Sequence, residues 1–100
     1  MALSLNVLVV DDEPKLCRLL EQIIAQLGCT VRTAADGLEA LDAFDRQRAD
    51  VVGTDLKMPR LDGLGLIREL KQREPLLGIV VITAYPSIDG AVEAMRCGAC

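Results

Sequence analysis

Acidic residues stand at the ends of two apolar runs in this sequence. "LNVLVV" (5–10) leads into Asp11 and Asp12, and "DVVGT" (50–54) leads into Asp55. A third run, "GIVVIT" (78–83), closes on a hydroxyl, Thr83. Three carboxylates brought together repel one another and must either hold protons or share a cation. Hard oxygen donors of this kind suit Mg²⁺, which commonly takes one or two carboxylates plus phosphate oxygens from a substrate. A carboxylate beside such an ion can also attack phosphorus and become an aspartyl-phosphate. That transfer needs mainly positioning and charge neutralisation rather than elaborate acid–base machinery.

Whether these residues meet depends on the elements that carry them. The runs at 5–10, 50–54 and 78–83 are short and continuously apolar, as expected of strands covered on both faces. "CTVRTA" (29–34) reads as a weaker strand. Between them, Leu16, Leu19, Leu20, Ile23, Ile24 and Leu27 recur at helical spacing after Pro14, and Gly28 stops the pattern. Asp36-Gly37 opens a helix through Leu38, Leu41 and Phe44. Leu64, Ile67 and Leu70 mark another, ended at Glu74-Pro75, and Ser87 caps a last one carrying Ile88, Val92 and Met95. Alternating strands and helices imply an α/β fold: a doubly wound parallel sheet with helices on both faces. In the flavodoxin-like order 2-1-3-4, the ligand crevice lies outside the carboxyl ends of the first and third strands. Asp11, Asp12 and Asp55 would converge there, with Thr83 one strand further along.

Each residue also has a plainer use. Asp12 alone is explained as a helix N-cap, and Thr83 alone as a β-branched strand residue. Met58-Pro59 and Asp62-Gly63 alone describe a turn. The conjunction of these positions at matching strand ends is the stronger signal.

Composition narrows the classes. One hundred residues suit one domain, residues 1–100. A net charge of −4 argues against direct nucleic-acid binding, which needs a basic face. No apolar stretch is long enough for a membrane span, and the N-terminus lacks the basic residues of a signal peptide. Cys97-x-x-Cys100 has the spacing of half a zinc site, but Cys17 and Cys29 form no second pair and there is no histidine. Reduced thiols in a cytoplasmic protein are the expectation.

With "VLVVDDEP", "DLKMPRLDG", "VVITAY" and "EAMRCGA", the chain resembles the receiver domain of bacterial response regulators in two-component signalling. "TDLKMPRLDG" and "TAYPSIDGAVEAM" further resemble receivers of nitrogen-regulation-type transcriptional activators. The resemblance implies that Asp55 accepts a phosphoryl group from a histidine kinase. It implies that Asp11, Asp12, Asp55 and the backbone carbonyl of Lys57 hold Mg²⁺. Thr83 would be the switch hydroxyl, and Lys57 and Tyr85 would tune hydrolysis of the acyl phosphate. The chain would be a signalling phosphoacceptor rather than an enzyme, and would control a transcriptional output domain.

Family members continue past the position of Cys100 with a fifth strand, an aromatic switch residue, a phosphate-pairing lysine and a fifth helix. The expectation is therefore a receiver incomplete at its C-terminus. "GIVVIT" would then be a long, uncharged edge strand, which invites pairing with a second copy. Gly53 stands where the family carries a large aliphatic, suggesting a thinned core under the site, and Gly65 and Gly90 fall inside expected helices. An alternative is an interaction module that keeps the fold without using phosphorylation. A phosphatase with an aspartate nucleophile is less well matched, because Lys57 occupies the place of its second acid.

Overall fold

A computed structural model describes residues 5–83 and 87–100. The chain alternates strand and helix four times: β1 (Asn6–Val10), α1 (Pro14–Gln26), β2 (Thr30–Ala34), α2 (Gly37–Arg46), β3 (Val51–Thr54), α3 (Gly63–Arg73), β4 (Gly78–Val81) and α4 (Ile88–Cys97). The sheet is parallel throughout, in the order β2-β1-β3-β4. This is the expected flavodoxin-like winding, and it follows from strands too apolar to leave either face in water.

Alternation along the strands divides the interior. Leu8, Val10, Val52 and Ile79 belong to a core with Phe44 of α2, Leu66, Ile67 and Leu70 of α3, and Ala94 of α4. Val7 and Val9 point the other way and pack with Cys17, Leu20 and Ile24 of α1. The cysteines form no disulfide among the described residues, and no described helix is long and apolar enough to cross a membrane.

Local chemistry accounts for the helix starts. Asp62 and Ser87 accept the backbone N–H groups of Gly65 and Gly90 at 2.8 and 2.9 Å. Both glycines are thus first-turn residues next to a cap, where the interior helix penalty does not apply in full. α1 opens on Pro14, as expected, and does not use the plainer reading of Asp12. Its N-cap is Glu13, with no side-chain cap bond, so Asp12 is not spent on capping.

Two further differences concern β4. The strand ends at Val81 rather than Thr83, although the Ile82 amide still donates to the Thr54 carbonyl at 2.9 Å. Because alternate residues of a strand address opposite neighbours, Ile79 faces away from β3, and its carbonyl accepts the Cys100 amide at 2.9 Å. The outer edge is therefore already occupied at one position by the chain itself. Nor is the sheet hollow at Gly53. The space a side chain would take is filled by Ile82, whose δ-methyl lies 3.0 Å from an ideal Cβ position.

Candidate functional site

The ladder continues one residue beyond both central strands. The amide of Asp11 donates to the Ala34 carbonyl and that of Asp55 to the Val10 carbonyl, each at 3.1 Å. These bonds fix the two acids at adjacent strand ends, where the winding reverses around β1. Asp12 joins them, and carboxylate oxygens of Asp11, Asp12 and Asp55 lie within 4.8 Å of one another.

The three acids sit in different surroundings. Asp11 is buried, Asp55 half-buried and Asp12 exposed. Burial pushes the Asp11 carboxyl above the usual carboxylate range; the Glu13 amide, donating to Oδ1 at 2.9 Å, works against this, while the charges of Asp55 and Asp12 add to it. Beneath the cluster, the Cys17 thiol donates to the Asp11 carbonyl at 3.3 Å. Burial, followed by the charge of Asp11, pushes that thiol up, so it stays a protonated donor. An uncompensated cluster of hard oxygens is a fitting donor set for a divalent cation such as Mg²⁺.

Asp55 is oriented by its own loop. Its Oδ1 accepts the Leu56 amide at 2.6 Å and, at the long limit of 3.5 Å, that of Lys57. At the base of the same loop, the Gly63 amide donates to the Leu56 carbonyl at 2.9 Å. The backbone thus determines where the Asp55 oxygens point.

Of the other residues singled out in the sequence, Lys57 has an exposed side chain in this loop. Thr83 is half-buried just beyond β4, lining a groove with Leu56, Val81, Ser87 and Met95. Tyr85 lies outside the described residues. Sequence reasoning did not single out Cys17 as a neighbour of the acids, or Arg60 as the partner of Asp36. Arg60 Nε and Nη2 both contact Asp36 Oδ2, at 2.9 and 2.7 Å. The pair is separated by 24 positions, so no local pattern announces it.

With this geometry in view, comparison with known proteins is direct. Residues 7–100 match the model of the response regulator receiver domain. Over 91 residues the chain is 40% identical to the DNA-binding transcriptional regulator NtrC of Escherichia coli K12, covering 91% of this chain and 19% of that protein. It is 36% identical over 96 residues to the transcriptional regulatory protein ZraR of Klebsiella oxytoca, covering 96% of this chain and 22% of the relative. The chain therefore spans about a fifth of the length of the curated relatives it matches. Among solved structures, NtrX from Brucella abortus superposes with a TM-score of 0.92 at 37% identity, over 98% of this chain and 22% of that one.

Proposed function

The chain belongs to the response regulator receiver domain family, and from that premise we propose that Asp55 is its phosphoacceptor. The family's members are signalling phosphoacceptors of two-component systems rather than conventional enzymes. The observation that carries the assignment is the convergence of the Asp11, Asp12 and Asp55 carboxylates at the ends of β1 and β3.

In the proposed transfer, an Asp55 oxygen attacks the phosphorus of a phosphohistidine on a sensor kinase. A P–O bond forms, the P–N bond breaks, and the imidazole leaves with the electron pair. Asp11, Asp12, Asp55 and the Lys57 carbonyl would hold Mg²⁺, with Asp12 as the more direct ligand. When bound, that ion neutralises charge on the phosphoryl oxygens. The loop amides of Leu56 and Lys57 keep the Asp55 carboxylate aimed. Thr83 turns its hydroxyl to the phosphoryl group, and the side chains of Lys57 and Tyr85 set how fast water removes it.

The product carries about −1.5 to −2 charge, enough to bias a two-state surface around β4 and α4. The signal passes to an output domain that controls transcription, in the cytoplasm. The names and lengths of the relatives support that part of the reading. Self-association through the rest of the β4 edge, or the apolar surface beside it, belongs to the same proposal. Val80, 45% exposed on the sheet face beside that edge, supports the apolar-surface form of the contact. A dimer in light scattering is expected, and a monodisperse monomer at high concentration overturns that part.

The central test is incubation with Mg²⁺ and acetyl phosphate, followed by mass spectrometry. Label on Asp55, absent from Asp55→Asn, is the expected result. An unlabelled protein whose melting temperature still rises with Mg²⁺ would favour the phosphorylation-independent module. Continuous turnover of the donor would favour the phosphatase.

A further inference from the structure

We infer that Arg60 is a positioning residue for the loop that aims Asp55, latching the far end of that loop onto the N-terminus of α2. This rests on the phosphoacceptor reading above and adds a residue to it.

Among the described residues, Arg60 is the only non-glycine with positive φ, at 69°. The Leu61 amide donates to the Pro59 carbonyl at 2.9 Å, closing a three-residue turn centred on Arg60. A γ-turn with positive φ at its centre is rare and strained. A glycine would adopt it freely, so the arginine persists because its surroundings over-determine it. Those surroundings are Asp36, whose Oδ2 takes both Nε and Nη2 of Arg60.

Asp36 is itself well anchored. It is buried, and its Oδ1 accepts the Glu39 amide at 2.9 Å as the N-cap of α2. One oxygen therefore holds the helix and the other holds the loop. The next residue, Gly37, explains how closely the two parts approach. A Cβ there would lie 2.7 Å from the Leu61 Cβ and would run into the Leu61 carbonyl oxygen.

Loop 55–63 is thus pinned at its base and at its tip. At its base, Gly63 binds Leu56, whose own amide holds the Asp55 Oδ1. At its tip, Arg60 binds a rigid helix start. Lys57, whose carbonyl is proposed to face the cation, lies between the two pins. Releasing the tip leaves the acids in place while widening the positions open to residues 56 and 57.

The test compares Arg60→Gln, Arg60→Lys, Asp36→Asn and the double variant Arg60→Gln/Asp36→Asn with the unaltered protein. Asn keeps an oxygen for the Glu39 amide but loses the charge that Arg60 seeks. Two readouts avoid phosphorylation: Mg²⁺ half-saturation followed by amide chemical shifts, and hydrogen exchange of the Leu61 and Gly63 amides in metal-free protein. Partners behind metal ligands typically change affinity by about 10–100-fold. For this more distant latch, half-saturation is expected to rise about three- to tenfold in Arg60→Gln and Asp36→Asn. The double variant should be no worse than either single one, Arg60→Lys should recover part of the loss, and loop exchange should quicken with helix exchange unchanged. Unaltered Mg²⁺ affinity and loop exchange in Arg60→Gln, while the parent protein binds Mg²⁺ and is labelled at Asp55, would reduce the pair to a surface ion pair. A parent protein that neither binds Mg²⁺ nor accepts label would instead overturn the phosphoacceptor reading, and the inference with it.

Discussion

The δ-methyl of Ile82 occupies the place of a Gly53 side chain, lying 3.0 Å from an ideal Cβ position. The glycine in β3 is therefore matched by a larger residue from the neighbouring strand end. Ile82 is half-buried, and its contacting atom is the tip of its side chain. It can yield by a few tenths of an ångström.

Gly53→Ala is accordingly expected to stabilise the protein by about 0.5 kcal/mol, the entropic gain from a less flexible unfolded chain exceeding the cost of moving one methyl. Gly53→Val overfills the same space and is expected to destabilise by about 1–3 kcal/mol. Urea denaturation of the two variants checks both signs.

Asp11 predicts an opposite pair of effects with and without cation. Its folded-state pKa is raised, by burial first, so the folded protein holds its proton more tightly than the unfolded chain. Stability then falls as pH rises from the ordinary value of 3.8 through the raised one, and the penalty is complete above it. Asp11→Asn removes that penalty and keeps an acceptor for the Glu13 amide. In chelator at neutral pH its Tm is expected to exceed that of the parent by about 2–5 °C. The difference should vanish below the ordinary value, and added Mg²⁺ should raise the variant's Tm less than the parent's. Calorimetry across pH, with and without Mg²⁺, reads all three.

Asp36 has the reverse sign. The Glu39 amide, and then Arg60, hold its carboxyl below the ordinary 3.8. Its contribution is present above that value and is lost as pH falls through the lowered one. Asp36→Asn is expected to cost about 0.5–1 kcal/mol at neutral pH, since Arg60 is more than half exposed. The variant should also show a flatter loss of stability in acid. Urea midpoints taken between neutral and strongly acidic pH measure the slope.

Phe44 is fully buried where α2 meets the sheet, with the Arg48 guanidinium 5.5 Å from its ring centroid. Phe44→Ala is expected to cost about 3–5 kcal/mol, a large share of the roughly 5–15 kcal/mol available to a typical domain. The variant should unfold near physiological temperature by circular dichroism.

These residues also show which features can be read from a sequence. Asp11, Asp12 and Asp55 were legible because each follows an apolar run, and parallel winding brings strand ends together. Ser87 was legible as a cap because its chemistry acts within one helical turn. Glu13 rather than Asp12 begins α1, a choice of backbone register that short-range preferences do not settle. Ile82 over Gly53 and Arg60 on Asp36 are pairings across the fold, invisible to any local window. The early end of β4 has the same origin: "GIVVIT" is uniformly strand-like, and only the reach of β3 shows where pairing stops.

One consequence of the winding concerns the field at the acidic end. With every strand parallel and every return made by a helix, α1 to α4 all begin at the end of the sheet that carries Asp11 and Asp55. The positive poles of the helix dipoles gather there. The acids therefore repel one another inside a standing positive potential contributed by peptide groups, which cannot be titrated away or released. A chain of net charge −4 thus carries a rim more hospitable to an incoming anion than its formal charges suggest.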